Sequence, residues 1–362
     1  KPGANTRRAK RYSLRGGISN DSLVDNLKGQ KMKDKSLEDF YDKRKGNYVK
    51  PPAEENFFLE MNKSLLEREK RFYQDYPIEH PFIFVFGAPR SGTTLLSQLL
   101  SASLDCGYIN NLIARFWLTP IHGIRLSKAT FGAENFSSFR SNYARTKEPQ
   151  DIHEFGYFWR DLLKKENMSD VTQVREREKD IDWRYVRSVL ASIQQEFDKP
   201  MVFKNIFGSY HLSKLKEILE SVVYVYIERD PLDSAISILQ ARQKYYSDLN
   251  TWWSYTPIEY DEIKDLGYME QIAGQVYFLQ RYYKQQVKEN ADCSITIKYE
   301  QLAKAPMSVL NDIKVKSQAA NGYELKIAQN PPAKFPFRTY ADRSEQRAEF
   351  QKLLDQFAEK YP

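Results

Sequence analysis

Residues 82–96 read FIFVFGAPRSGTTLL: an apolar run, a turn containing Gly87 and Pro89, then a small-residue helix start. The chemistry this spelling serves is phosphate binding. A strand that ends in glycines and opens a helix aims backbone amides, and the positive end of the helix, at an anion. Ser91, Gly92, Thr93 and Thr94 supply amides and hydroxyls, and Arg90 places a positive charge inside the loop. A second candidate lies at residues 222–239, VVYVYIERDPLDSAISIL. There Arg229 ends an apolar run and Ser237 follows eight residues later. Asp230 suits a helix cap, Pro231 the first helical position and Asp233 the first turn.

The first loop resembles the Walker A pattern G-x-x-x-x-G-K-[ST]. Gly87 and Gly92 keep its glycine spacing, but Thr93 stands at the lysine position. A cradle without that lysine is poorly equipped to hydrolyse ATP, which counts against the competing reading of a P-loop kinase or NTPase. The spelling P-R-S-G-T-T-L is instead similar to the 5′-phosphosulfate loop of sulfotransferases that use 3′-phosphoadenylyl sulfate (PAPS). R-D-P-x-D-x-A-x-S resembles the same family's 3′-phosphate signature. The resemblance covers roughly residues 80–315.

It implies an α/β fold with a three-layer parallel sheet flanked by helices, and in-line transfer of a sulfuryl group from PAPS to a hydroxyl, leaving adenosine 3′,5′-bisphosphate (PAP). No metal is required in that family. Arg90, Ser91, Gly92, Thr93 and Thr94 are carried over as the 5′ clamp, Arg229 and Ser237 as the 3′ clamp. The spellings resemble bacterial and Golgi-type members more than cytosolic ones, so the expected acceptor is a carbohydrate or glycoconjugate. A tyrosyl or small phenolic acceptor is the alternative.

Such a transfer needs a base for the acceptor proton and charge stabilisation at the bridging oxygen. Tyrosylprotein-type relatives take the base from a G-E-E-T-like element after the phosphate-loop helix. Here that stretch is Cys106-Gly107-Tyr108-Ile109-Asn110-Asn111, with no carboxylate. The substitute is PQDIHEFGYFWRDLL, residues 149–163. Read as a helix, it gathers Ile152, Phe155, Trp159, Leu162 and Leu163 on one apolar face. His153 lies on one flank and Glu154 on the other polar side. His153 is favoured as base, since imidazole titrates near neutral pH and cytosolic sulfotransferases use a histidine. Glu154 serves if desolvation raises its pKa. His122, in IHGIR, is the reserve. Lys204, ending the apolar run of VFKN, is placed to touch the sulfate or bridging oxygen.

Aromatic groups at 115–118, 157–159 and 245–255 could stack on sugar rings or adenine, although most such clusters are core. Arg125, Arg140 and Arg145 read first as solvated arginines. Lys334 and Arg338 are candidates to close over the 3′-phosphate.

The elements that must position these groups alternate. Strands are expected at 82–87, 201–207, 222–228 and 294–299. Helices are expected at 54–74, 92–103, 151–166, 181–197, 211–220, 231–244, 258–289 and 306–315, with a last one from about 341. Residues 107–150 read as irregular. Strands alternating with helices imply a parallel sheet with crossovers. Residues 1–50 read as a basic, flexible N-terminal arm and 51–362 as a single domain.

The 362 residues include 24 Tyr and 21 Phe and are 41% hydrophobic, ample for a core. No apolar run is long enough to span a bilayer. The net charge of +7 suits an anionic cofactor, although Lys1, Arg7, Arg8, Lys10, Arg11 and Arg15 concentrate much of it. A non-catalytic polyanion binder would explain that charge but neither motif. Two cysteines make no disulfide framework, and Cys and His show no metal-binding spacing. A cytoplasmic location is expected, or a lumenal domain of an anchored protein if the chain is a fragment.

Overall fold

Burial on both faces dictates the centre of the molecule. FIFVF and VVYVYIE have no polar face, so each must lie inside a sheet covered on both sides. In the computed structural model they are β1, Phe82–Phe86, and β4, Val222–Glu228, hydrogen-bonded to each other in parallel. With β2 (Gly107–Tyr108), β3 (Met201–Lys204) and β5 (Ser294–Lys298) they form an all-parallel sheet in the order β2-β3-β1-β4-β5. The structure describes residues 44–132, 134–142, 145–165, 174–204 and 206–362. Of the two units into which the chain divides, 1–35 lies outside the described residues, as does the basic cluster of the expected arm, and 36–362 carries everything below.

The strand pleat sorts the core by shape. Ile83 and Val85 point with Val202, Val223, Val225 and Ile227 to an aliphatic layer. It is completed by Leu96, Leu99 and Leu100 of α2 (Thr93–Ser103) and by Val309, Leu310 and Ile313 of α9 (Pro306–Asn321). Phe82, Phe84 and Phe86 point to the other side, where Phe84 meets Phe203, Tyr224 and Trp159. Phe84 is only 1% exposed, and burying such a side chain contributes about 2–3 kcal/mol. The helices on this side include α4 (Gly156–Leu162), α7 (Pro231–Tyr246), α8 (Tyr268–Glu289) and the terminal α10 (Ser344–Lys360).

The expected parallel α/β architecture is present, with three departures outside residues 151–166. β2 pairs with β3 inside the stretch read as irregular. That stretch also holds a full helix, α3 (Pro120–Phe131). Its exposed amides are capped from far away: the buried Glu69, last residue of α1 (Pro52–Glu69), accepts from Ile121 N at 2.6 Å and His122 N at 3.2 Å. Thr119 and Pro120 stand at the N-cap and first position, but the Thr119 side chain makes no cap bond. The helix expected over 258–289 is broken into Tyr260–Ile263 and α8, the latter capped at Gly267, whose amide donates to Glu270 at 3.0 Å. The remaining helices relevant here are α5 (Trp183–Phe197) and α6 (Leu212–Leu219).

Candidate active site

Parallel strands deliver their C-terminal ends to one edge, and ligands bind there where connections leave to opposite faces. The chain after β1 enters α2, on the aliphatic face. The chain after β4 enters α7, whose core cluster lies with α8 and α10. The crevice between β1 and β4 is that switch point, and both motifs flank it.

The loop after β1 is shaped by close approach. A Cβ on Gly87 would sit 2.7 Å from the backbone oxygen of Ile227, so only glycine fits against β4. Arg90 and Gly92 have φ of 69° and 109°, left-handed values that curl successive amides inward. Ser91 N donates to Ala88 O at 3.1 Å, and Leu96 N to Gly92 O at 3.0 Å, so α2 opens directly from the loop. The Ser91 hydroxyl is buried with no hydrogen-bond partner among the described residues. A buried donor in that state fits an anionic ligand that is still to arrive.

Arg229 and Ser237 come to the same crevice. Arg90 donates from Nε to Oγ of Ser237 at 2.9 Å. Arg229 donates to the carbonyls of Arg90, at 2.8 Å, and Arg338, at 2.6 Å, and lies over the Tyr299 ring. Its Nε is buried and has no partner among the described residues. Asp230 caps α7 by accepting from Leu232 N at 2.7 Å. The guanidinium of Arg229, the Ser91 hydroxyl and the glycine cradle thus fit a ligand carrying two separated phosphate-like groups.

Lys204 is placed differently from a solvated strand end. It is 3% exposed, donates to Thr94 Oγ1 at 2.8 Å and forms an ion pair with Glu154. The Glu154 side chain keeps 34% of its surface in solvent, so a substrate can reach it. Asn205 lies outside the described residues.

His153 and Glu154 are not on a helix, which corrects the expected element at 151–166. Ile152 bridges to Asn110, His153 N donates to Ile109 O at 2.8 Å, and Phe155 is left-handed at φ 57°, so α4 begins only at Gly156. The amphipathic wheel therefore sorts only the later residues; Trp159 is core, while His153 and Glu154 sit on an extended lead-in.

His153 is exposed at its surface, yet the protein packed around it lowers its imidazole pKa to about 4. Glu154 pulls the other way, and Lys50, Lys204 and Arg115 push with the burial. Phe155 N–H donates to its Nδ1 at 2.8 Å. A neutral ring accepting at Nδ1 carries its proton on Nε2. His122 faces away from this chemistry, with Nδ1 bonded to Glu69.

Two polar clusters border the lead-in. Lys50 bonds Glu55 at 3.0 Å and Tyr157 OH at 2.7 Å, and Arg115 pairs with Glu54 at 2.9 Å. Trp117 packs edge-on against Tyr157 at 5.2 Å. On the other side Arg145 lies over the rings of Tyr48 and Tyr245. Trp252 and Trp253 belong to the helical core. Arg125 pairs with Glu196, and Arg140 is exposed.

Lys334 and Arg338 expose their side chains; it is the Arg338 carbonyl that meets Arg229. Beside it lies a contact that the sequence did not announce. Asp233 accepts from Tyr340 N at 2.9 Å and Arg347 at 2.7 Å, and the Tyr340 hydroxyl reaches Ser237 at 3.4 Å. At the opposite end of the strands Glu79, His80 and Asp198 bring potential ligand atoms within 4.8 Å of one another. No helix among the described residues is long and apolar enough to cross a membrane.

The sulfotransferase family profile matches residues 81–315, a span that contains both phosphate motifs, Lys204 and the His153–Glu154 lead-in. No curated protein matches the chain. Among solved structures, sulfotransferase STF9 from Mycobacterium avium aligns with a TM-score of 0.51 at 13% identity, covering 86% of each chain. Sulfotransferase STF1 from Mycobacterium tuberculosis H37Rv aligns with a TM-score of 0.48 at 14% identity, over 81% of this chain and 80% of that one. The STF9 likeness speaks for the fold. The family match, spanning residues 81–315, places the chain in the sulfotransferase family: it is an enzyme of sulfuryl transfer that draws on a PAPS-type donor to modify a hydroxyl-bearing acceptor.

Proposed function

We propose that the donor is PAPS itself, that Glu154 takes the acceptor proton, and that the acceptor is a carbohydrate or glycoconjugate. The observation that carries the catalytic part is Lys204, whose ammonium joins Thr94 of the phosphate-loop helix to the Glu154 carboxylate. It sets an accessible carboxylate within two polar contacts of the loop that would hold the 5′-phosphosulfate. Ser91, Thr93 and Thr94 would hold that end, with Arg229 and Ser237 on the 3′-phosphate. PAPS supplies an activated sulfuryl group on a good leaving group.

In the reaction the acceptor oxygen bonds to sulfur as the bond from sulfur to the 5′-phosphate oxygen breaks. The hydroxyl proton passes to Glu154. Arg90 and Lys204 stand where negative charge grows on the departing oxygen. His153 is the weaker candidate for base, since Phe155 N–H occupies Nδ1 and the other nitrogen carries the proton. It serves better as a donor that orients the acceptor. Tyr157 and Trp117, bordered by the Lys50–Glu55 and Arg115–Glu54 pairs, offer the aromatic and polar mixture that suits a sugar.

The test is sulfate transfer from radiolabelled PAPS across oligosaccharides, glycolipids, a tyrosyl peptide and simple phenols. Labelled glycan is expected. Label on phenol or peptide alone would replace the acceptor, and stabilisation by ATP with magnesium but not by PAP would overturn the donor.

A further inference from the structure

We infer that Tyr255 and Tyr283 form a hydrogen-bonded brace that fixes the first peptide of the phosphate loop, which makes Tyr255 a positioning residue for donor binding. The inference rests on the reading of residues 87–94 as the donor loop. The Tyr255 hydroxyl donates to Gly87 O at 3.0 Å across 168 positions of sequence. A carbonyl has no proton to give, so the direction of this bond is settled. The Tyr255 oxygen is left as acceptor for the Tyr283 hydroxyl, with which it is hydrogen-bonded. Tyr283 in turn lies 3.2 Å from Ser209 Oγ, whose proton goes to Ile206 O. One proton order satisfies both bonds from Tyr283 through Tyr255 to Gly87 O, while Ser209 packs against Tyr283 with its own proton on Ile206 O.

The row is built rigidly. Tyr255 is 5% exposed and Tyr283 is fully buried. Gln275 of α8 donates to the Tyr255 carbonyl at 2.8 Å and the Trp253 carbonyl at 3.1 Å, fixing the backbone that carries the ring. Tyr283 packs against Phe86 and Tyr226, at centroid separations of 5.2 Å and 5.8 Å, directly beneath the loop. Burial holds both phenols protonated, so the donors persist at any working pH.

What the brace controls follows from Gly87. One side of this residue is pressed against Ile227 O, where no Cβ fits. Its carbonyl is tied to Tyr255. The peptide plane between Gly87 and Ala88 is thereby fixed, and with it the start of the turn that Ser91 N closes on Ala88 O. Those turns aim the amides that receive the phosphate group. Ser209, in the segment that follows Lys204, packs against the Tyr283 hydroxyl at 3.2 Å, so the brace rests against the other wall of the crevice.

The experiment compares PAP affinity, by calorimetry on the full chain well below its melting temperature, in Tyr255→Phe, Tyr283→Phe and Tyr210→Phe. Tyr210 is the control: its hydroxyl is equally buried but donates to Thr256 O at 2.8 Å, away from the loop. Losing one buried hydrogen bond that shapes a site weakens binding by about tenfold. Tyr255→Phe is expected to show that loss, Tyr283→Phe about threefold, and Tyr210→Phe none, although all three lower the melting temperature.

Unchanged PAP affinity in folded Tyr255→Phe overturns the inference, as does an equal loss in Tyr210→Phe. If Tyr255→Phe does not fold, Tyr283→Phe decides, and unchanged affinity there overturns it. A wild-type chain that binds no PAP overturns the donor reading first, and the brace falls with it.

Discussion

The guanidinium of Arg90 reaches across the crevice to Ser237, Nε to Oγ at 2.9 Å, joining the loop after β1 to α7 across 147 positions of sequence. Arg229 closes the circuit from the other side by donating to the Arg90 carbonyl. The two proposed phosphate motifs are therefore one hydrogen-bonded unit. Tyr340 adds a third strand of contact through Ser237.

Arg229→Ala is expected to weaken PAP binding by about a hundredfold, since charge-assisted hydrogen bonds contribute roughly 1.5–3 kcal/mol. Ser237→Ala should cost about fivefold. Because Arg90 and Ser237 touch, their effects will not add; a double-mutant cycle should give a coupling of about 1 kcal/mol. Strictly additive losses in calorimetry would show that Arg90 and Ser237 act on the ligand separately.

Glu154→Gln keeps the shape of the side chain and removes its basicity. A general base contributes typically 10²–10⁴-fold, so turnover should fall within that range while PAP affinity changes little. His153→Gln should retain activity to within about tenfold. A collapse in His153→Gln with Glu154→Gln active would reverse the two roles.

The depressed imidazole of His153 ties stability to pH with a definite sign. Above the ordinary value of 6.5 it is neutral in folded and unfolded chains alike, and contributes nothing. As pH falls from 6.5 toward about 4, the unfolded chain takes up a proton that the folded chain refuses, so folding weakens; below about 4 both are protonated and the loss is complete. His211, buried against Glu178, is lowered for the same first reason and adds to the slope. His153→Gln should flatten melting temperature against pH within that window. The His153 ring resonance should not titrate between pH 6 and 8, and a midpoint near 6.5 would contradict the crowded site described here.

Sequence reading succeeded where one short segment carried both halves of a physical requirement. FIFVF and VVYVYIE are apolar on both faces, so strand, burial and parallel sheet could be inferred together. The loops after them place glycine, arginine and capping residues at spacings that have few other uses. It failed where the partner is distant. α3 has its cap on Glu69. The lead-in of His153 and Glu154 is held extended by Ile109 and Asn110, which no helical periodicity could reveal. Tyr255 reads as one more aromatic in YYSDLNTWWSY, because its partner is a backbone carbonyl in the phosphate loop. The side chains of Lys334 and Arg338 carried the sequence signal, yet the Arg338 carbonyl and Tyr340 make the contacts.

Arg347 offers the test of what that C-terminal segment does. It stands near the start of α10 and spans Asp233 at 2.7 Å and Asp230 at 3.0 Å, the two acids of the α7 N-terminus. Asp233 is 3% exposed and also receives Tyr340 N, so removing the arginine leaves a buried carboxylate short of one charged donor. The pair is partly exposed on the arginine side, and the expected stability loss is about 1–2 kcal/mol. The local effect should exceed the global one. Arg347→Ala frees the stretch that carries the Arg338 carbonyl to Arg229 and the Tyr340 hydroxyl to Ser237, so amides of 338–347 should exchange faster with deuterium than those of α7. PAP affinity should fall about threefold with them, since Arg229 and Ser237, the proposed 3′-phosphate clamp, lose their neighbours. Faster exchange spread evenly over α7, α8 and α10, with PAP affinity unchanged, would mean that Arg347 fastens the terminal helix to the core and has no part in shaping the clamp.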